Sequence, residues 1–196
     1  GMNAVTNIPK YNFKGVIIKD LKASKCFYYG MINKVLYYYE DNDYPAKWQL
    51  SPETAVINGY KCQKASTEFE GRKYIAWFTR QIPISNGPYK FGGLPGLIVS
   101  IKDETNSYKF ELTRIYQPSL GYEINLPGKV IYYKQAGKLI PKAEYYRIFY
   151  DFVENYVDKF LGDGLTKIND EDGFRNSYRE KIKHRNNPIE LNYKKN

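Results

Sequence analysis

The segment IPISNGPYKFGGLPGLI (Ile82–Ile98) places three prolines and four glycines within 17 residues. Proline fixes φ and lacks a backbone donor, so no regular helix runs through Pro83, Pro88 and Pro95. A central strand is excluded on the same ground. The run is nevertheless no linker, because Ile82, Ile84, Tyr89, Phe91 and Leu94 give it apolar anchors. An ordered crossing packed over a sheet is predicted. The pair Gly92-Gly93 lets the backbone approach another segment or a ligand closely. Leu94-Pro95-Gly96 has the order that a type II turn prefers.

The flanks fix what the crossing joins. Tyr74–Thr79 (YIAWFT) and Leu97–Ile101 (LIVSI) have the β-branched and aromatic character of strands. Upstream, Phe13–Asp20, Cys26–Tyr29, Val35–Glu40 and Tyr60–Ala65 continue the pattern, with Asn58-Gly59 as a hairpin signal. Asp41 to Pro45 is turn chemistry. Downstream, Tyr108–Tyr116 alternates in the manner of a half-buried strand. With 21 Tyr and 10 Phe in 196 residues, rings supply much of the apolar surface.

The period changes after Pro141. Ala143, Tyr146, Phe149, Phe152, Val153, Tyr156, Val157 and Phe160 recur at helical spacing, predicting a helix over 142–160. A shorter helix is predicted after Asp172-Gly173, with Asp172 as its N-cap. Strands followed by helices give an α+β class: a curved antiparallel sheet (a meander) with one long C-terminal helix packed on it and a short second helix. One domain spanning 1–196 is expected, with 1–12 a flexible arm, 13–134 mainly β and 141–185 mainly α.

Several stretches, in order, resemble the GLPGLI family, exported bacterial proteins of unknown function. They are Trp48-Gln49-Leu50, Gly59 to Cys62, Lys64-Ala65, Gly71 to Tyr74, Ala76-Trp77-Phe78, Ile82-Pro83-Ile84, Gly87 to Phe91 and Gly93 to Ile98. Asn187 to Leu191 resembles the family's ending. The resemblance implies a precursor with a signal peptide and a mature protein in the periplasm or cell envelope. It implies no reaction, cofactor or partner. The structural motif it marks comprises Pro83, Gly87, Pro88, Gly92, Gly93, Leu94, Pro95 and Gly96.

The chemistry-bearing residues narrow the function classes. The single histidine, His184, stands among Lys181, Lys183 and Arg185, where an imidazolium is disfavoured, so a Ser–His–Asp system has no suitable base. No phosphate-binding loop, HExxH or GxSxG motif occurs. No cofactor and no metal site are expected. Placing Gly173 at the fixed glycine of a calcium loop puts Ile168 and Arg179 where carboxylates are needed. Cys26 and Cys62 leave a disulfide open. The net charge is +9, of which +5 lies in 174–196, but no recognition motif accompanies it and nucleic acid is not the expected partner. No apolar run is long enough to cross a membrane. Arg72, Trp77, Lys90 and Phe91, an arginine, a lysine and two aromatic rings around the glycine-rich crossing, are the candidate ligand-binding set. Three readings follow: a non-catalytic envelope protein binding an apolar or peptide-like ligand, an interaction module of a cell-surface assembly, and a carboxylate-based hydrolase.

Overall fold

The computed structural model describes residues 15–115, 137–158, 170–183, 189, 190 and 192. The expected arm 1–12, residues 116–136 and His184 lie outside them. The described strands form two sheets. β1 (Val16–Asp20), β2 (Lys25–Ile32) and β3 (Val35–Glu40) make an antiparallel meander, and β9 (Lys138–Leu139) adds in parallel beside β3. β4 (Gln49–Ile57), β5 (Tyr60–Phe69), β6 (Arg72–Thr79), β7 (Leu97–Asp103) and β8 (Lys109–Glu111) form a second, wholly antiparallel sheet. Asn58 and Gly59 turn the β4–β5 hairpin at φ 50° and 79°, the double left-handed conformation their sequence announces.

The α+β class and the antiparallel pairing agree with expectation; the meander is divided between two sheets. Pleating explains the division of labour. On β5 and β6, Ala65 and Phe69 face the same core as Tyr74, Ala76 and Phe78, and β7 adds Ile98 and Ile101. On the first sheet, Ile18, Tyr29 and Leu36 pack on one face. Tyr28, Ile32, Tyr37 and Tyr39 pack on the other, against α1 (Lys142–Glu154), chiefly through Tyr145, Tyr146 and Phe149.

Three expectations about element bounds and caps need correction. The strand predicted over 108–116 is paired only over Lys109–Glu111; Leu112 N still bonds Val99 O, and beyond it the chain leaves the ladder. The long helix closes at Glu154, where Asn155 N bonds Asp151 O, and residues 156–158 form a separate helical turn. The second helix, α2 (Glu171–Lys183), is capped by Asp170, not Asp172: its Oδ1 accepts the Gly173 N–H at 2.8 Å, which places Asp172 inside the first turn.

The crossing between β6 and β7 is seated as predicted. Phe91 and Leu94 are buried in the core of the second sheet, and Phe91 meets the rings of Trp48, Phe69, Tyr74 and Tyr89. The Trp48 indole N–H donates to Gly92 O at 2.8 Å. The type II turn does not form. Leu97 N is taken by Ile82 O, so Gly96 N folds back to Leu94 O at 2.8 Å, a γ-turn centred on Pro95.

Candidate functional site

Two lysines hold the crossing in place. Lys19, projecting from β1 of the other sheet, donates to Asn86 Oδ1 (2.9 Å), Gly87 O (2.6 Å) and Phe91 O (2.8 Å). Burial pushes its ammonium down to about 8, against a smaller upward pull from Cys26. Lys19→Met leaves three part-buried acceptors without their donor, an expected loss of about 1–3 kcal/mol in a urea titration, with faster amide exchange confined to 84–97. Exchange accelerating equally everywhere would show that the tether is not local.

Lys90 points inward and is fully buried. Its Nζ donates to Tyr39 Oη (2.9 Å), Asp41 Oδ2 (2.6 Å) and Glu190 Oε1 (2.5 Å). The Asp41 turn also receives Lys142, the first residue of α1, which lies 3.0 Å from Oδ1 and bridges to Glu70 at the β5–β6 turn. Glu190 accepts hydrogen bonds from the Tyr89 hydroxyl and, at 2.8 Å, from the Tyr146 hydroxyl. A strand end, a hairpin turn, the crossing, a helix start and a segment near the C-terminus thus converge on one charged knot. Asp41, Glu70, Lys90 and Glu190 are each buried within it.

The electrostatics follow from who faces whom. Burial by itself would raise the Asp41 carboxyl; the Lys90 and Lys142 ammonium groups outweigh it and hold it below the ordinary range. Burial would likewise lower Lys90, but Glu190 and Asp41 keep it above its usual value. Glu70 goes the other way, because burial exceeds what Lys142 returns. Burial and the Glu190 charge push the Tyr89, Tyr39 and Tyr146 hydroxyls upward, so they stay protonated donors. Asp41, Asp43 and Glu70 offer oxygens close enough together to share a cation. Lys142 Nζ already bonds all three and supplies that charge.

The four candidate ligand-binding residues do not share a surface. Phe91 is core and Lys90 belongs to the knot. Arg72 is buried, 3.1 Å from Asp103 Oδ2 and over the Tyr108 ring at 5.1 Å. Trp77 alternates with buried Ala76 and Phe78 and is half-buried on the opposite face of the sheet, between Lys64 and Ser100. Cys26 and Cys62 lie in different sheets and are buried free thiols, so the bridge left open is not formed. Burial pushes Cys26 up to about 11, which leaves it unreactive at neutral pH.

The Arg72–Asp103 pair yields a pH prediction. Burial raises the Asp103 carboxyl, yet bonds from Thr105, the Tyr108 N–H and Arg72 together bring it below the ordinary 3.8. A depressed carboxyl stabilises fully above its unfolded value and loses that contribution as pH falls through the folded value. The stability gap between wild type and Asp103→Asn is therefore expected to be largest near about pH 7 and to shrink by about pH 3. Urea midpoints at both values measure it; an unchanged gap refutes the assignment.

Sequence reasoning found Lys90 but not its partners. Asp41 was legible only as a turn residue and Lys142 only as a helix-start residue. Glu190 falls inside the terminal stretch already singled out, which was the one available signal. An open pocket of about 440 Å³ lies elsewhere, lined by Asn58, Tyr60, Glu111, Leu112, Arg114 and Ile115 among others. No described helix is long and apolar enough to cross a membrane.

The chain is similar to two solved structures of PNGF-II. For the C2 crystal form the TM-score is 0.50 at 15% identity, and for the P21 form 0.48 at 16%. Each match covers 72% of this chain and 25% of the other, so the chain spans about a quarter of the length of those structures. At this identity the likeness is one of fold. No curated protein matches. Residues 67–100, from β5 through the crossing into β7, match the family described as "Protein of unknown function (Porph_ging)".

Proposed function

We propose that the protein is a non-catalytic binding module of the periplasm or cell envelope, of the GLPGLI type, taking a peptide-like ligand. The observation that carries this reading is the open pocket of about 440 Å³ beside the β4–β5 hairpin. Its size suits a short peptide segment or a small amphipathic molecule. Leu112 and Ile115 offer apolar surface, the Tyr60 ring a flat wall, and Arg114 a fork for a carboxylate. Asn58 Nδ2 donates to Leu112 O at 2.9 Å, linking the hairpin tip to the segment after β8.

The buried carboxylates of the knot do not support the hydrolase reading. A carboxylate pair that hydrolyses an outside substrate needs access for that substrate. Asp41, Glu70 and Glu190 are instead bonded to Lys90, Lys142 and tyrosine hydroxyls, and all three are buried. The knot is a fastening.

The interaction-module reading keeps one observation in its favour. Among the described residues β4 is an edge strand paired only with β5, and Leu50 and Val56 on it are 50% and 73% exposed. An extended partner segment can add to such an edge. A similar fold occupying a quarter of a longer chain is consistent with a module that works beside others.

The two readings separate experimentally. Native mass spectrometry of the protein incubated with a carboxylate-bearing apolar peptide mixture is expected to show a bound species that Tyr60→Ala/Arg114→Glu abolishes. Unchanged binding by that variant would reject the pocket. Binding lost on Val56→Lys but kept by the pocket variant would favour the edge.

A further inference from the structure

We propose that Lys90 and Asp41 condense to an intramolecular amide, with Glu190 carrying the proton. Amide formation between side chains needs an amine in contact with a carboxyl, a neighbouring group to move protons, and exclusion of water. Lys90 Nζ is 2.6 Å from Asp41 Oδ2, and both side chains are 0% exposed. Glu190, 1% exposed, has its Oε1 2.5 Å from the same nitrogen. The Tyr28, Tyr39 and Tyr89 rings stand 5.4, 4.9 and 5.5 Å from Nζ and close the surroundings. Lys142 lies 3.0 Å from Asp41 Oδ1, the oxygen on which negative charge grows as nitrogen attacks.

The step balances without any outside reagent. One proton passes from the ammonium to Oδ2. The freed nitrogen lone pair attacks Cγ, forming the C–N bond and pushing charge onto Oδ1. Glu190 accepts a second proton from nitrogen and delivers it to Oδ2. The Cγ–Oδ2 bond then breaks, Oδ2 departs as water, and the carbonyl re-forms at Oδ1. An ammonium and a carboxylate become one neutral amide and one water, with Glu190 regenerated.

Two physical effects favour this product. Fixed contact replaces a collision, an advantage that reaches ~10⁵ M or more in effective concentration for well-aligned groups. Condensation also removes an ammonium and a carboxylate together from a buried site, leaving the net charge of the knot unchanged and Glu190 held by tyrosine hydroxyls and by Lys142 at 3.7 Å. The charged pair is the resting form, so the first proton transfer is uphill and the reaction is slow. It occurs once per molecule, and its product is a covalent tie between the turn after β3 and the crossing.

Intact mass measurement of the purified wild-type protein tests the proposal. A species lighter than the sequence mass by one water, about 18 Da, is expected, with a proteolytic fragment joining the peptides that contain Asp41 and Lys90. The fraction is expected to rise with storage time. Lys90→Arg and Glu190→Gln are expected at full mass, the second because a carboxamide cannot relay the proton. Wild type at full mass after prolonged storage overturns the proposal whatever the variants do. A water loss that maps within a single linear peptide overturns it equally. Condensation persisting in Glu190→Gln overturns the relay.

Discussion

Lys90→Met is expected to lower the free energy of unfolding by about 3–5 kcal/mol, the range for removing one partner from a buried ion pair. The methionine fills most of the lysine's volume, so the loss is electrostatic. Asp41 keeps Lys142, but Glu190 keeps only tyrosine hydroxyls and an ammonium 3.7 Å away. Against a usual total of about 5–15 kcal/mol this is a large share, and the variant is expected to be recovered in low yield at 37 °C. Chemical denaturation measures the change. The paired variant Lys90→Met/Glu190→Leu separates charge from packing: it is expected to be less destabilised than the sum of its single changes, because it leaves no orphaned Glu190 carboxylate. A purely additive outcome would mean that the two side chains do not act through one another.

Gly96→Ala is the second large effect. Gly96 has φ of +156°, and a Cβ there would press into the Thr79 carbonyl, with the Thr79 carbon at 2.7 Å. Thr79 is fully buried at the end of β6, so the backbone it meets has little room to retreat. Overpacking of this kind costs about 1–3 kcal/mol, and the unfavourable backbone conformation adds to it. Gly59→Ala is the matched control. Gly59 also has positive φ, 79°, but nothing lies within 4 Å of the added carbon. Only the left-handed penalty of about 1–2 kcal/mol applies there. Melting temperatures of the two variants should therefore differ, with the Gly96 change the worse. Equal losses would assign the whole effect to φ and none to the collision.

These effects bear on how much of the molecule was legible beforehand. The crossing was readable because prolines and glycines act locally: each restricts or frees its own backbone, and the apolar residues between them need a surface. Phe91 and Leu94 found that surface where the pattern required it. The turn within the crossing was misread because Leu97 N bonds Ile82 O, a contact between its two ends that no tripeptide rule encodes. The left-handed residue Tyr89, φ 50°, was equally hidden; its hydroxyl is bound to Glu190, 101 residues away. The knot could not be assembled from sequence for the same reason. Asp41, Glu70, Lys142 and Glu190 each have an unremarkable local context, and only tertiary placement brings them around Lys90. Arg72 and Trp77 show the converse: adjacent motif blocks put them on one strand, yet pleating and position send one into a buried pair and the other to the opposite face.

Glu190 follows Lys90 by 100 positions. A ribosome releases the lysine long before the acid that completes its surroundings, and contacts so distant along the polymer form slowly. The fastening around Lys90 therefore closes only after both segments exist, which makes it a late step in folding.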